Sequence, residues 1–300
     1  MANETYVLVF ALLGGIIPAF FWLWFWMRED RLHPEPKSAL FSAFLGGIIA
    51  VLLALFFELV IYYLLVDASI LRGTKSPEIF WSFLQDFSDK YNLITIQNIF
   101  WEHIQNSFSK WNFAFVYNID AKRFFLLVII APVIEELFKL ILTYSICLRR
   151  KVNDEPIDAS IYMLTAALGF AAVETALFLT GPLAKGNVID SLIAGNFRSI
   201  GPMLIHLISS AMLGIFIGLA FYKSWIKKIF YLIIGFLIAV ILHAIFNFFT
   251  MLNEITQNMT FFWVACLGTW LFVVILLVFF EKIKNIVKPS DKYVYFKKPV

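Results

Sequence analysis

Charged residues are scarce in this chain. Only 15% of its 300 residues are Asp, Glu, Lys or Arg, where a soluble domain averages roughly 25%. The formal charge of +3 is too small to point to a nucleic-acid partner. Cysteine is almost missing: Cys147 and Cys266 both fall in apolar runs, which excludes a disulfide framework. No basic stretch precedes the first apolar run; Glu4 stands before it and Arg28 after it. That polarity is wrong for a cleaved signal peptide and suits an uncleaved first span. There is no internal repeat and no H-E-x-x-H. What the chain does have is apolar mass: 61% of residues are hydrophobic and 34 are Phe. It reads as an integral protein of the lipid bilayer.

Seven runs reach the roughly 20 residues that a helix needs to cross hydrocarbon. They lie near 5–27, 39–66, 124–148, 158–180, 201–222, 229–250 and 260–280. The expected fold is an all-α, polytopic membrane helix bundle. It would form one membrane domain, with 67–123 as an extracytoplasmic loop or cap and 281–300 as a basic cytoplasmic tail. Segment 67–123 mixes charge with Trp81, Phe87, Trp101, Trp111 and Phe113, which suits interfacial amphipathic helices or a small ordered cap. With the N-terminus outside, 15 Lys and Arg lie on the cytoplasmic side and eight on the outer side. That bias predicts N-out, C-in.

The stretch Ala131 to Leu142, APVIEELFKLIL, places Glu135, Glu136 and Lys139 inside an apolar run. Ionisable groups at membrane depth are costly unless paired, and by default they suggest a functional site. On a helix Lys139 neighbours both carboxylates, at i+4 and i+3. It can neutralise one and leave the other for chemistry; the competing reading is an ion pair that only fixes packing. Further polar residues follow on other spans: Phe170 and Glu174, then His206, then His243 and Asn247. By helix rise, Glu174, His206 and His243 lie roughly 8–11 Å below the outer face, Asn247 about 5 Å and Glu135 about 17 Å. Four helices thus offer polar groups to one layer. His206, Ser210, Gly214 and Gly218 repeat every four residues, a small-residue face that lets helices approach. Asp158 is a candidate N-cap for its span. Glu58 reads as a residue reaching the interface near Tyr62 and Tyr63.

These residues, taken in order, resemble the PrsW-type intramembrane proteases, distant relatives of the CAAX prenyl proteases. Asp30 with Pro34-Glu35-Pro36 resembles the acidic-proline segment after the family's first helix. Glu135-Glu136-x-x-Lys139 is similar to its E-E-x-x-K motif. Asp158-x-x-x-Tyr162 and Gly169-Phe170-Ala171 with Glu174 resemble the next motif. Arg198, Pro202, His206 and Gly214 resemble the following helix, and His243-x-x-x-Asn247 the last polar pair. Thr175 departs from the Asn that commonly follows the motif glutamate, and the outer loop is longer than the minimal pattern. The resemblance implies peptide-bond hydrolysis in or beside a bacterial plasma membrane. The substrate it implies is a membrane-anchored protein cut near the outer face, an anti-sigma factor in the family's best-known role.

The expected chemistry assigns Glu135 as general base, since a carboxylate in a low-dielectric site can take a proton from water. Lys139 would keep Glu136 charged. His206 and His243 would orient water or donate to the oxyanion, with Asn247 as an amide donor and Glu174 as relay or orienting partner. Arg198 is a candidate contact for an acidic group of the substrate, or an interface anchor. Glu135, His206 and His243 can instead bind zinc, since two His and a Glu form a catalytic zinc set. Metal-free glutamate chemistry is favoured, with no cofactor expected and zinc as the alternative. A non-catalytic membrane scaffold and a proton-coupled transporter are the rival functions.

Overall fold

The computed structural model describes residues 4–28, 34–65 and 120–286, with side chains of 63–65 left aside. Asp30, segment 67–119 and the tail beyond 286 lie outside the described residues. So do the interfacial helices or cap expected there. All regular structure among the described residues is helical. The helices are α1 (Glu4–Met27), α2 (Lys37–Leu65), α3 (121–148), α4 (Asp158–Ala184), α5 (Val188–Ile200), α6 (Pro202–Leu219), α7 (Trp225–Thr256) and α8 (Met259–Lys284).

Six helical stretches are long and apolar enough to cross a membrane, α5 and α6 counting together as Val188–Leu219. They match six of the seven expected spans. The seventh, α3, has the length, but Glu135, Glu136 and Lys139 interrupt its apolar character. Large apolar side chains face outward all round the bundle, including Phe21 and Trp24 on α1, Phe230 and Leu237 on α7, and Leu267 and Val278 on α8. In water such a surface would aggregate; in a bilayer it meets acyl chains. The molecule is a multi-pass membrane protein.

The core is α4. Every residue from Asp158 to Ala172 is buried, walled by α1, α2 and α6. Small residues permit this. A Cβ on Gly47 would sit 1.8 Å from the Ala166 carbonyl oxygen, and one on Gly169 2.1 Å from that of Phe44. The small face read on the fifth span also packs here, Gly214 against Ser160 and Gly218 against Pro156. Asp158 does not cap its own helix. Ile157 holds the N-cap position, and Asp158 Oδ2 accepts from the backbone N–H groups of Asp154 and Glu155 at 2.7 and 2.6 Å, tying the preceding turn instead. Tyr162 Oη donates to Glu35, which anchors the acidic-proline segment to α4.

Helix α3 is uneven. Ala121–Phe124 is α-helical, Phe125–Ile130 widens to a π-helix, Ala131–Thr143 is α-helical, and Tyr144–Leu148 widens again. The first widening has a cause in the sequence. Pro132 has no N–H and its ring crowds the carbonyl four residues back. The Ala131 N–H reaches Leu126 O, one residue further than in an α-helix. By the same register Leu127 O would pair with residue 132, the proline, and so loses its helical partner. Asn247 Nδ2 from α7 donates to it at 3.0 Å.

Candidate active site

Five helices deliver the site. α3 presents Glu135, Glu136 and Lys139; α4 presents Phe170 and Glu174; α5 presents Arg198; α6 presents His206, Ser209 and Ser210; α7 presents His243 and Asn247. The four-helix layer expected from depth therefore exists, with α5 added. The helices overrun the expected span ends, so the layer lies deeper. By rise, Glu174 and His243 sit about 15–20 Å from the nearer ends of α4 and α7 and about 24–27 Å from the farther ends.

Glu136 is the structural centre. Its side chain is fully buried, as is that of Lys139. Lys139 Nζ donates to Glu136 Oε1 at 2.7 Å, Ser209 Oγ to Oε1 at 2.9 Å and Ser210 Oγ to Oε2 at 2.7 Å. His243 Nδ1 donates to Oε1 at 3.2 Å. Four donors from three helices converge on one carboxylate, which is the condition for keeping a buried charge. Lys139 also lies 4.4 Å from the centre of the Phe170 ring, and that ring packs on His206.

These bonds set both imidazoles. Lys139 Nζ can only donate, so His206 Nδ1, 2.9 Å away, accepts. The proton of His206 then sits on Nε2 and is donated to Glu174 Oε2 at 2.7 Å. His243 carries its proton on Nδ1 toward Glu136, which leaves the Nε2 lone pair free. The two rings meet edge to face with centroids 4.7 Å apart.

Glu135 completes the group. Its Oε2 is buried and has no hydrogen-bond partner. His206 Nδ1 lies 3.5 Å from it, His243 Nε2 3.8 Å and Lys139 Nζ 3.9 Å. One donor atom from each of Glu135, His206 and His243 falls within 4.8 Å of the others. This donor set fits a divalent cation: one carboxylate oxygen and two imidazole lone pairs. The outward N–H of each ring is held by a carboxylate, Glu174 for His206 and Glu136 for His243, as in carboxylate–histidine–metal arrangements. Lys139 competes, because it uses the His206 Nδ1 lone pair that a cation would need.

Glu135, Glu174, His206, His243, Asn247 and Arg198 all line a cavity of about 500 Å³. Arg198 is not free there. Its guanidinium pairs with Glu174 Oε1 at 2.9 Å, lies over Phe178 and meets Thr175 Oγ1 at 3.5 Å. Thr175, the departure from the family pattern, thus faces Arg198. Sequence reasoning missed Ser209 and helix α5, and it set Glu58 aside as an interface residue; the structure places Glu58 in the cavity wall. For Ser209 the available signal was its place one turn after His206, but a lone hydroxyl on a buried helix has many uses.

Comparison with known proteins agrees with this geometry. The chain is 31% identical over 125 residues to Protease PrsW of Geobacillus kaustophilus (strain HTA426), a match covering 41% of this chain and 51% of that protein. The chain thus spans about half the length of that curated relative. No solved structure matches. Residues 95–280 match the family described as PrsW family intramembrane metalloprotease, and they include every site residue named above except Glu58. The chain belongs to the PrsW family of intramembrane metalloproteases.

Proposed function

We propose that this chain is an intramembrane peptidase that hydrolyses a membrane-anchored protein substrate in a bacterial plasma membrane. One observation carries the reading: the buried, unpartnered Oε2 of Glu135 faces the lone pairs of His206 and His243 at the wall of a cavity. A scaffold has no use for an unsatisfied carboxylate beside two oriented imidazoles. In hydrolysis Glu135 accepts a proton from water as the water oxygen attacks the scissile carbonyl carbon. The C–N bond then breaks and that proton passes to the departing nitrogen. Lys139, 3.9 Å from Glu135, is a fixed positive charge beside the reacting group and would stabilise a developing oxyanion there. Glu136 and Glu174 hold the imidazole tautomers, and Arg198 holds Glu174.

Glu135, His206 and His243 are the residues that would hold a zinc-type cation, which supplies Lewis acidity toward water and the scissile carbonyl. The tautomers are compatible with this version: the His243 Nε2 lone pair is free, and the His206 Nδ1 lone pair would have to be released by Lys139. The test is a proteolysis assay in membranes, comparing the unsubstituted chain with Glu135→Gln. Cleavage by that variant at the unsubstituted rate would refute the site. Metal content of the purified protein, with loss of cleavage on chelation and recovery on zinc addition, separates the two versions. An anti-sigma factor is the substrate class the family resemblance suggests, and co-expression with a tagged candidate tests it.

A further inference from the structure

The peptidase reading leaves Glu58, in the wall of the cavity, without a role. Glu58 lies on α2, the helix that contributes no other acid or base to the site. It lines the central cavity beside Glu135 and Glu174, and also a second cavity of about 480 Å³ between α2 and the outer part of α3. The two cavities share Glu58, Leu127 and Ala131, so Glu58 stands at the neck between them. The second cavity runs along Leu55, Leu59 and Tyr62 on one side and Leu126 and Ile130 on the other. It is a mostly apolar passage, with Asp120, Lys122 and Arg123 at one end and Glu58 toward the reacting layer.

Glu58 Oε1 is buried and accepts no hydrogen bond. The cations around it are already committed: Arg198 to Glu174 at 2.9 Å, Arg123 to Glu254 at 2.5 Å and Lys139 to Glu136 at 2.7 Å. Lys122, which also borders the passage, has an interaction of its own. Among the described residues, the wall of the central cavity holds Glu58, Glu135, Glu174 and Glu254, and its one Lys or Arg is Arg198. A buried carboxyl oxygen kept at this depth without a hydrogen bond is costly, and intramembrane ionisable groups persist where they serve a function.

We infer that Glu58 is a specificity residue of the proposed peptidase, receiving a Lys or Arg side chain of the membrane-anchored substrate at the neck between the two cavities. A basic residue in the outer half of a span is itself unfavourable and uncommon. Pairing with Glu58 relieves its cost only inside this site, so the contact selects few proteins from the membrane. The inference rests on the peptidase reading for the identity of the ligand.

The probe is a single-pass reporter with Lys, Gln or Glu at one position in the outer half of its span. Capture is read on Glu135→Gln protein carrying a photo-crosslinking residue in place of Tyr62, so that no turnover is needed. The Lys reporter should be captured about tenfold better than the Gln reporter, an energy difference ordinary for one charge pair. Adding Glu58→Gln should abolish the preference, and Glu58→Lys should shift it to the Glu reporter. Equal capture of all three reporters, or a preference that survives Glu58→Gln, overturns the inference, as does failure to capture any reporter. Preferential capture through Glu58 without cleavage by the unsubstituted chain would support the inference and sink the peptidase reading instead.

Discussion

Glu135 and Glu136 are adjacent and chemically identical, and their surroundings divide the labour. Glu136 receives four donors, while Glu135 Oε2 receives none. Glu135→Gln should therefore leave folded yield unchanged and lower cleavage by about 100-fold or more, the range for a lost general base. Glu136→Gln should lower both, because it strands Lys139 and releases the His243 ring. Lys139→Ala breaks a fully buried pair at a cost of about 3–5 kcal/mol, read as lost thermal stability in detergent. Equal stability of the Lys139→Ala and Glu135→Gln proteins would refute this division. The pair and its lysine were legible in the sequence because charges inside an apolar run stand out. Glu58 carries the same kind of charge and was passed over. Two tyrosines follow it, which suggested an interface, and the cavity that gives it meaning is assembled from helices far away in the chain.

At the scale of the helix, Pro132, Leu127 and Asn247 form one device. The proline removes a donor, a carbonyl is freed, and an amide from α7 satisfies it. Asn247→Ala should destabilise the first part of α3 by about 1 kcal/mol, the net worth of the lost hydrogen bond to the Leu127 carbonyl. Pro132→Ala returns an N–H to the helix, so in the Asn247→Ala background it should recover part of that loss. Additive losses in the double-mutant cycle would refute the link. Close packing gives a second test. Gly47→Ala and Gly169→Ala drive a methyl into neighbouring backbone and should each cost about 1–3 kcal/mol or more. Gly268→Ala meets nothing within 4 Å and should be neutral or stabilising. Length and apolarity were enough to place the spans, but α5 was missed. Its 13 residues include Asp190, Asn196 and Arg198, too short and too polar to register as a span. It is held in place by tertiary contacts such as Trp22 Nε1 donating to Ser199 O at 3.0 Å. The role of Asp158 was misread for a related reason: a residue in the first helical turn can serve the preceding loop as easily as its own helix.

For the whole molecule, the reacting layer lies off centre. It is nearer the end of the bundle where α2 and α7 finish and α3 begins, by about 15–20 Å against 24–27 Å. The other end carries Arg149, Arg150, Lys151, Lys223, Lys227 and Lys228, and the Lys/Arg bias predicts that this end faces the cytoplasm. Both native cysteines are buried, so introduced ones can be read cleanly. A membrane-impermeant thiol reagent on intact cells should label a Cys at position 185 and miss one at position 151. The same asymmetry predicts where a substrate is cut. Its helix must unwind before a carbonyl can be attacked, and unwinding is least costly near a helix end, where water satisfies the freed groups. Glu254 lines the central cavity and its partner Arg123 the second one, both at the end of the bundle that the Lys/Arg bias predicts to be outer, so water and the unwound strand are expected to meet the layer from there. The cut should fall in the outer half of the substrate's span, within about three turns of its outer end. Mass spectrometry of the released fragment reads the position directly. A cut in the cytoplasmic half would mean that the strand reaches Glu135 from the basic end, and both the orientation and the passage beside Glu58 would have to be abandoned.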